Sequence, residues 1–356
     1  MEDFAPPLLQ ESYDNSGLQC GNPEMKISAA LVCLDVTPEV VAEKKKKKCN
    51  LIISHHPVIF GNLKSISTLS PPGKILWESI AAGIAIYSCH TNLDHVSSGV
   101  NAMLLRKLGL KGKQRILSPL KGVLRKLVVF CPEKHTSKLT DALFSAGAGK
   151  IGNYDECAFY ISGKGSFRPN EKANPFIGSK GKRHFEEEVR VEVIFPSWIT
   201  ADLLKAMKKA HPYEEVAYYI QDTENLHQEV GSGMFLELDT PIPPAKLLDL
   251  LRKKLKTKGL RFSKRPKEKI SGLAVCGGSG SFLIPAAKRE KAQVLITGDI
   301  KYHAWFDAEP DLWLIDAGHF ETEQFTSEIF YDVLKKNFPK FAVRFSNVKT
   351  NPVNYF

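Results

Sequence analysis

Apolar residues come in short unbroken runs along two stretches of the chain and in alternation with charged residues along a third. In the first stretch Lys26 to Val36 reads as a buried strand, Thr37-Pro38 opens a helix with an N-cap and an N1 proline, and Asn50 to Ser54 is the next strand. A helix near Lys74 to Ala82, a strand at Ala85 to Cys89 and a helix at Val100 to Leu108 continue the β-α-β rhythm. The last stretch repeats it, with strands at Gly272 to Cys276, Val294 to Thr297, Trp313 to Asp316 and Ala342 to Phe345. Helices at Phe282 to Lys291, His303 to Ala308 and Thr322 to Lys336 lie between them. Continuously apolar strands separated by helices predict α/β sheets covered on both faces.

From about Leu124 to Gln221 the texture changes. Val128 to Phe130, Ala158 to Ile161 and Val189 to Phe195 read as strands of a half-exposed sheet, with helices at His135 to Ala146 and Thr200 to Ala210. That order predicts a ferredoxin-like α+β domain, β-α-β-β-α-β, inserted into the α/β core. Gly163, Gly165, Pro169, Pro175, Gly178 and Gly181 predict a long loop within it. The expected division is a discontinuous α/β core of two lobes, residues 1–123 and 222–356, with residues 124–221 inserted.

Composition narrows the class without naming a function. A chain of 356 residues with 43% apolar residues is long enough for a buried core without metal or disulfide staples. The seven cysteines are odd in number and never spaced C-x-x-C, which predicts reduced, core-filling thiols. No apolar run approaches the roughly 18 residues that span a bilayer, and the first residues are acidic and proline-bearing, so a cytoplasmic location and no membrane partner are expected. The net charge of +10 is concentrated in Lys44 to Lys48 and in Arg252 to Lys269. Without interleaved aromatics these runs read as solvated segments, and nucleic acid is not the expected partner.

Four segments carry the chemistry: Ser54-His55-His56-Pro57, Cys89-His90-Thr91-Asn92-Leu93-Asp94, Thr297-Gly298-Asp299 with His303 beyond it, and Gly318-His319-Phe320-Glu321-Thr322-Glu323. Each follows an apolar strand, and in open α/β sheets the carboxyl ends of parallel strands line one crevice. His319 and Glu323, four positions apart at a helix start, share one face, whereas Glu321 points elsewhere. Neighbouring side chains of an extended backbone diverge, so His55 and His56 suit two nearby ions better than one. Imidazole and carboxylate without thiolate suit Zn, Fe, Mn or Co and leave positions for water. His90 and His303 are candidates for proton transfer, substrate contact or orientation of ligands. Gly277-Gly278-Ser279-Gly280, between a strand and a helix, reads either as an anion cradle or as a tight, closely packed turn. His211-Pro212-Tyr213-Glu214-Glu215 and Gly147 to Tyr154 read as loop structure, with ligand contact as the alternative.

Taken in order, Tyr13-Asp14-Asn15-Ser16-Gly17-Leu18, the His55-His56 box, His90 to Asp94, Ala274 to Gly280, Thr297-Gly298-Asp299 and His319 with Glu323 resemble the NIF-three-like dinuclear-metal family, whose members are named GTP cyclohydrolase I type II homologues. The stretches from Gly147 to Pro169 and from His211 to Tyr218 resemble the long members, with an inserted CutA-like or PII-like domain. The resemblance implies two divalent ions per subunit, zinc foremost, held by His55, His56, Asp94, His319 and Glu323. It implies His56 and Asp94 on one ion, His55 and His319 on the other, Glu323 bridging, and a homohexameric ring or cage.

The expected function is a metal-dependent hydrolase, with His90 or His303 as catalytic residues moving protons and a nucleotide or phosphate as ligand. GTP ring opening is compatible with that chemistry. The alternative is a metal-binding, metal-delivery or regulatory cage without turnover.

Overall fold

The computed structural model describes residues 1–355. Phe356, and the side chains of Lys44 and Lys45 within the first lysine run, lie outside the described residues. The chain forms two compact units, one of Met1–Pro119 together with the chain from Glu229 onward, the other of Leu120–Gln228. It is a mixed α/β fold with three sheets.

The discontinuous unit contains two of these sheets. In the first, the strand order is Gly17–Cys20, Ala85–Ser88, Leu51–Ser54, Ala29–Cys33, Ala342–Phe345. The last four run parallel, and Gly17–Cys20 closes the edge antiparallel. Ala29–Cys33 is buried at every position, as an uninterrupted apolar run requires when both faces are covered. The register pairs Cys33 with Ser54 and Ser54 with Ser88, so the segments following these strands emerge side by side.

The second sheet has the order Arg261–Phe262, Trp313–Asp316, Val294–Gly298, Ile270–Ser279, His227–Ile242, Gly112–Leu120. Its central three strands are parallel, with Ser279 beside Gly298 and Thr297 beside Asp316. His227–Ile242 and Gly112–Leu120, for which the sequence pattern predicts no element, extend the sheet, the former antiparallel to its neighbour. The Gly-Ser-Gly interruption at Gly231 to Gly233 breaks the period-two signal in the longer strand; a Cβ at Gly231 would come within 2.2 Å of the Ser118 carbonyl. The helix predicted over Thr322 to Lys336 is two helices, His319–Glu323 and Thr326–Asn337. The short first helix begins after Gly318, whose φ of +94° is a glycine conformation.

The second unit holds a four-stranded antiparallel sheet in the order Ala158–Phe167, His184–Pro196, Leu124–Pro132, Tyr218–Asp222. Helices Thr136–Ser145 and Thr200–Ala210 follow the first and third strands in sequence, giving the β-α-β-β-α-β order. Leu139, Leu143, Leu203 and Met207 cover one sheet face over Val129, Val191 and Val193. Gly163 and Gly165 lie within the strand Ala158–Phe167, not in the loop expected there; the irregular segment starts only at Arg168. All seven cysteines are free thiols. Among the described residues no helix is long and apolar enough to cross a membrane.

Candidate metal centre

Strand ends of both sheets in the discontinuous unit deliver side chains to one place. The first sheet brings His55 and His56 after Leu51–Ser54 and Asp94 after Ala85–Ser88; the second brings His319 and Glu323 after Trp313–Asp316. Three groups result that could hold a metal ion: His55 with Asp94 and Glu323, His56 with His319 and Glu323, and His55 with His56 and His90. Glu323 belongs to the first two. Its Oε1 lies 3.6 Å from His55 Nε2, and its Oε2 lies 3.1 Å from His56 Nε2 and 3.0 Å from His319 Nε2. The grouping differs from the one implied by family resemblance: His55 stands with Asp94, and His56 with His319. The divergence of neighbouring side chains sends His55 inward, fully buried, and His56 toward the helix of His319.

Each imidazole is held by Nδ1 and presents Nε2. His55 Nδ1 lies 2.8 Å from the Cys89 carbonyl, His56 Nδ1 2.7 Å from Asp35 Oδ1, and His319 Nδ1 2.6 Å from Asp299 Oδ2. An Nδ1–H donated to a carbonyl or carboxylate fixes the tautomer that leaves Nε2 as a lone-pair donor, the usual support of a metal-binding histidine. His55 Nε2 and Asp94 Oδ1 are buried, 3.7 Å apart and without a hydrogen-bond partner. Buried polar atoms are costly when unpartnered, and a cation between these two would satisfy both. The donor set therefore fits divalent metal ions.

The electrostatics match a cluster built for cations. Burial, then the charge of Glu323, raises the pKa of Asp94 well above the carboxylate range. Burial also disfavours charge on Glu323, but the neighbouring imidazoles outweigh it and hold its carboxyl well below that range. Burial opposes a proton on His56 and His319, yet the carboxylates around them lift these imidazoles to about 10 and about 9. Burial lowers the pKa of His55.

Gly277 and Gly278 pack against Glu323 as the floor of the cluster. A Cβ at Gly278 would stand 2.3 Å from Glu323 Oε1, and its φ is +61°. The glycine turn is thus a close-packing device beneath the carboxylate. Glu321 turns away, its Oε1 accepting from Asn351 Nδ2 at 3.3 Å and the Tyr355 hydroxyl at 3.4 Å.

His90 stands beside the cluster, its ring 5.3 Å from that of His55 and 5.4 Å from that of His56. Its Nδ1 lies 2.7 Å from Asp14 Oδ1. Burial works against the Asp14 charge, but bonds from His90 and Thr91 hold this carboxyl below its usual range. His303 is exposed, packs against Tyr302 and belongs to none of these groups. A cleft of ≈ 640 Å³ opens beside His56, His319 and Asp299, with Phe320, Arg261 and Tyr355 on its walls.

Asp35 and Asp14 escaped the sequence reading as orienting groups. Asp35 does follow an apolar strand, Ala29–Cys33, as the other site residues do, and that signal alone could have found it.

The family model described as Duf34/NIF3 (NGG1p interacting factor 3) matches residues 1–352. A Bacillus subtilis (strain 168) protein named GTP cyclohydrolase 1 type 2 homolog is 36% identical over 358 residues, covering 99% of this chain and 96% of its own. A relative of the same name from Halalkalibacterium halodurans is 37% identical, covering 89% of this chain and 86% of its own. The crystal structure of a Bacillus cereus protein related to NIF3 superposes with a TM-score of 0.85 at 35% identity, covering 100% of this chain and 96% of that one. The chain belongs to the Duf34/NIF3 family.

Proposed function

We propose that the chain is a dinuclear-metal hydrolase, with one ion between His55 and Asp94, a second between His56 and His319, and Glu323 bridging them. The observation that supports this most is the pair of buried, unpartnered donors, His55 Nε2 and Asp94 Oδ1, facing the carboxylate that the other two imidazoles share. Two divalent cations held there would polarise a substrate oxygen and lower the pKa of water. Asp35, Asp299 and the Cys89 carbonyl keep three imidazole lone pairs aimed inward. Asp14 fixes His90 through Nδ1, so that its other nitrogen carries a proton to or from the reacting group. His303, exposed and outside the cluster, has no part in this.

The names of the relatives point to opening of a purine ring in GTP, and we take a nucleotide as the substrate class to test first. The metal-loaded protein is incubated with GTP, other nucleotides and phosphoesters, beside His56→Ala, Glu323→Ala and His90→Ala. The expected result is turnover lost in the first two and reduced about 10²–10⁴-fold in the third. Turnover that survives in Glu323→Ala contradicts the assignment.

A second reading, a metal-delivery or regulatory cage, draws on the cleft. Asp35, Asp299, Asp316 and Glu321 line it together with Arg261, His56 and His319, so its oxygen donors stand directly beside the cluster. Rapid metal exchange with no turnover of any nucleotide would favour it. The strand order of Leu120–Gln228 supports reading that unit as an inserted CutA-type or PII-type module. A homohexamer, which light scattering tests, remains part of the proposal.

A further inference from the structure

We propose that the inserted unit binds a small organic cation, of the alkylammonium class, in an aromatic-walled pocket on the uncovered face of its sheet. The pocket, ≈ 320 Å³, is walled by Phe130, Phe167, Phe176 and Tyr213, with Glu188 among them. Its size falls within the range of small-molecule sites, about 300–1,000 Å³. The Tyr213 ring packs against those of Phe167 and Phe176, with centroids 5.8 and 6.3 Å apart and planes tilted 58° and 49°, and all three rings line the cavity. Ring faces are electron-rich and attract a desolvated cation, quaternary ammonium groups above all.

Glu188 supplies the charge. Among the described residues it forms no ion pair. Arg190, two positions along the strand, turns to Glu192 at 2.6 Å, and His184 turns to Glu186 at 3.0 Å. Arg168, which also lines the pocket, is exposed and among the described residues forms no ion pair. Burial pushes the Glu188 carboxyl above its usual range and the charge of Glu186 adds to it, against the opposing hydrogen bond from Tyr213. Gly165 on the adjacent strand makes room for it, since a Cβ there would stand 2.1 Å from Glu188 Oε2.

The pocket is also held in shape by its own motif. His211 Nε2 donates to the Phe130 carbonyl at 2.9 Å, and its Nδ1 accepts from the Tyr213 amide at 3.1 Å. The His211-Pro212-Tyr213-Glu214-Glu215 segment thus uses its histidine for loop structure and its tyrosine for the wall. Glu214 Oε1 accepts from the Asn174 amide at 2.8 Å, which ties the loop bearing Phe176 to this segment.

The test titrates the full-length protein with choline and with its neutral tert-butyl isostere, read by calorimetry and by the ring proton signals of Tyr213. The expected result is that choline binds about tenfold more tightly than the isostere, because only the cation is attracted by the ring faces. Glu188→Gln and Phe176→Ala should each weaken choline at least severalfold while the melting temperature stays that of the parent. Phe176 is largely exposed, so its variant keeps the fold even where a change at Glu188 disturbs it. Equal binding of cation and isostere, choline binding unaffected by Glu188→Gln, or no choline binding by the folded parent overturns the proposal.

Discussion

His55 Nε2 and Asp94 Oδ1 face each other across 3.7 Å, both buried and neither with a hydrogen-bond partner. Fold and sequence conspire to put them there: the strands ending at Ser54 and Ser88 are parallel neighbours, and each chain turns into the same crevice on leaving its strand. A site of this kind is defined as much by what points at it as by what surrounds it.

Asp35 and Asp299 act on the metal through His56 and His319. Replacing either by Asn keeps a hydrogen bond of sorts but removes the charge that orients and enriches the imidazole. Such partners are worth about 10–100-fold in metal affinity. Asp35→Asn should be the more damaging, because Asp35 is less exposed than Asp299 and also accepts from the Thr350 hydroxyl. Competition titration with a chromophoric chelator measures both.

The metal-free site holds protons that metal must displace. With His56 lifted to about 10 and His319 to about 9, both are imidazolium at pH 7. Metal binding should release protons, and affinity should rise from pH 6 to pH 9. Stability of the metal-free protein should run the other way. A raised histidine stabilises the fold fully below its unfolded value, about 6.5, and that contribution is lost as pH rises through 9 to 10. Melting curves with and without zinc across this window should therefore diverge as pH increases; parallel curves would speak against the paired imidazoles.

Gly278→Ala places a methyl group against Glu323 Oε1 at a left-handed backbone position. Backbone strain alone costs about 1 kcal/mol, as Gly83→Ala should show, since Gly83 has a φ of +60° and open space around it. Gly278→Ala should lose more stability than that control and also lose bound metal, which the control retains. Metal content by mass spectrometry and thermal melting separate the two effects.

The sequence carried much of the fold because the parallel strands of both core sheets are continuous apolar runs, and Ala29–Cys33 and Val294–Gly298 could hardly be anything else. It carried the cluster because His55, His56, Asp94, His319 and Glu323 follow such strands, and because one helical turn separates His319 from Glu323. It did not carry the pairing of His55 with Asp94, which follow two strands that are neighbours in one sheet, or the grouping of His56 with His319, which depends on how the two sheets face each other. Nor did it carry Asp35 and Asp14, whose roles lie in contacts with His56 and His90 that are distant in sequence. The glycines of Gly277-Gly278 read equally as an anion cradle or a packing turn until Glu323 is placed above them. Gly112–Leu120 and His227–Ile242 were hidden by glycine, proline and charge within half-exposed strands, where alternation is the only signal and is easily broken.

Native mass spectrometry of zinc-loaded parent, His319→Ala and Glu323→Ala tests the central claim most directly. The account predicts two ions per chain in the parent, one in His319→Ala, where the His55 and Asp94 group survives, and none retained in Glu323→Ala, which removes the shared carboxylate. Two ions still bound by Glu323→Ala, or a single ion in the parent at saturating zinc, would contradict it.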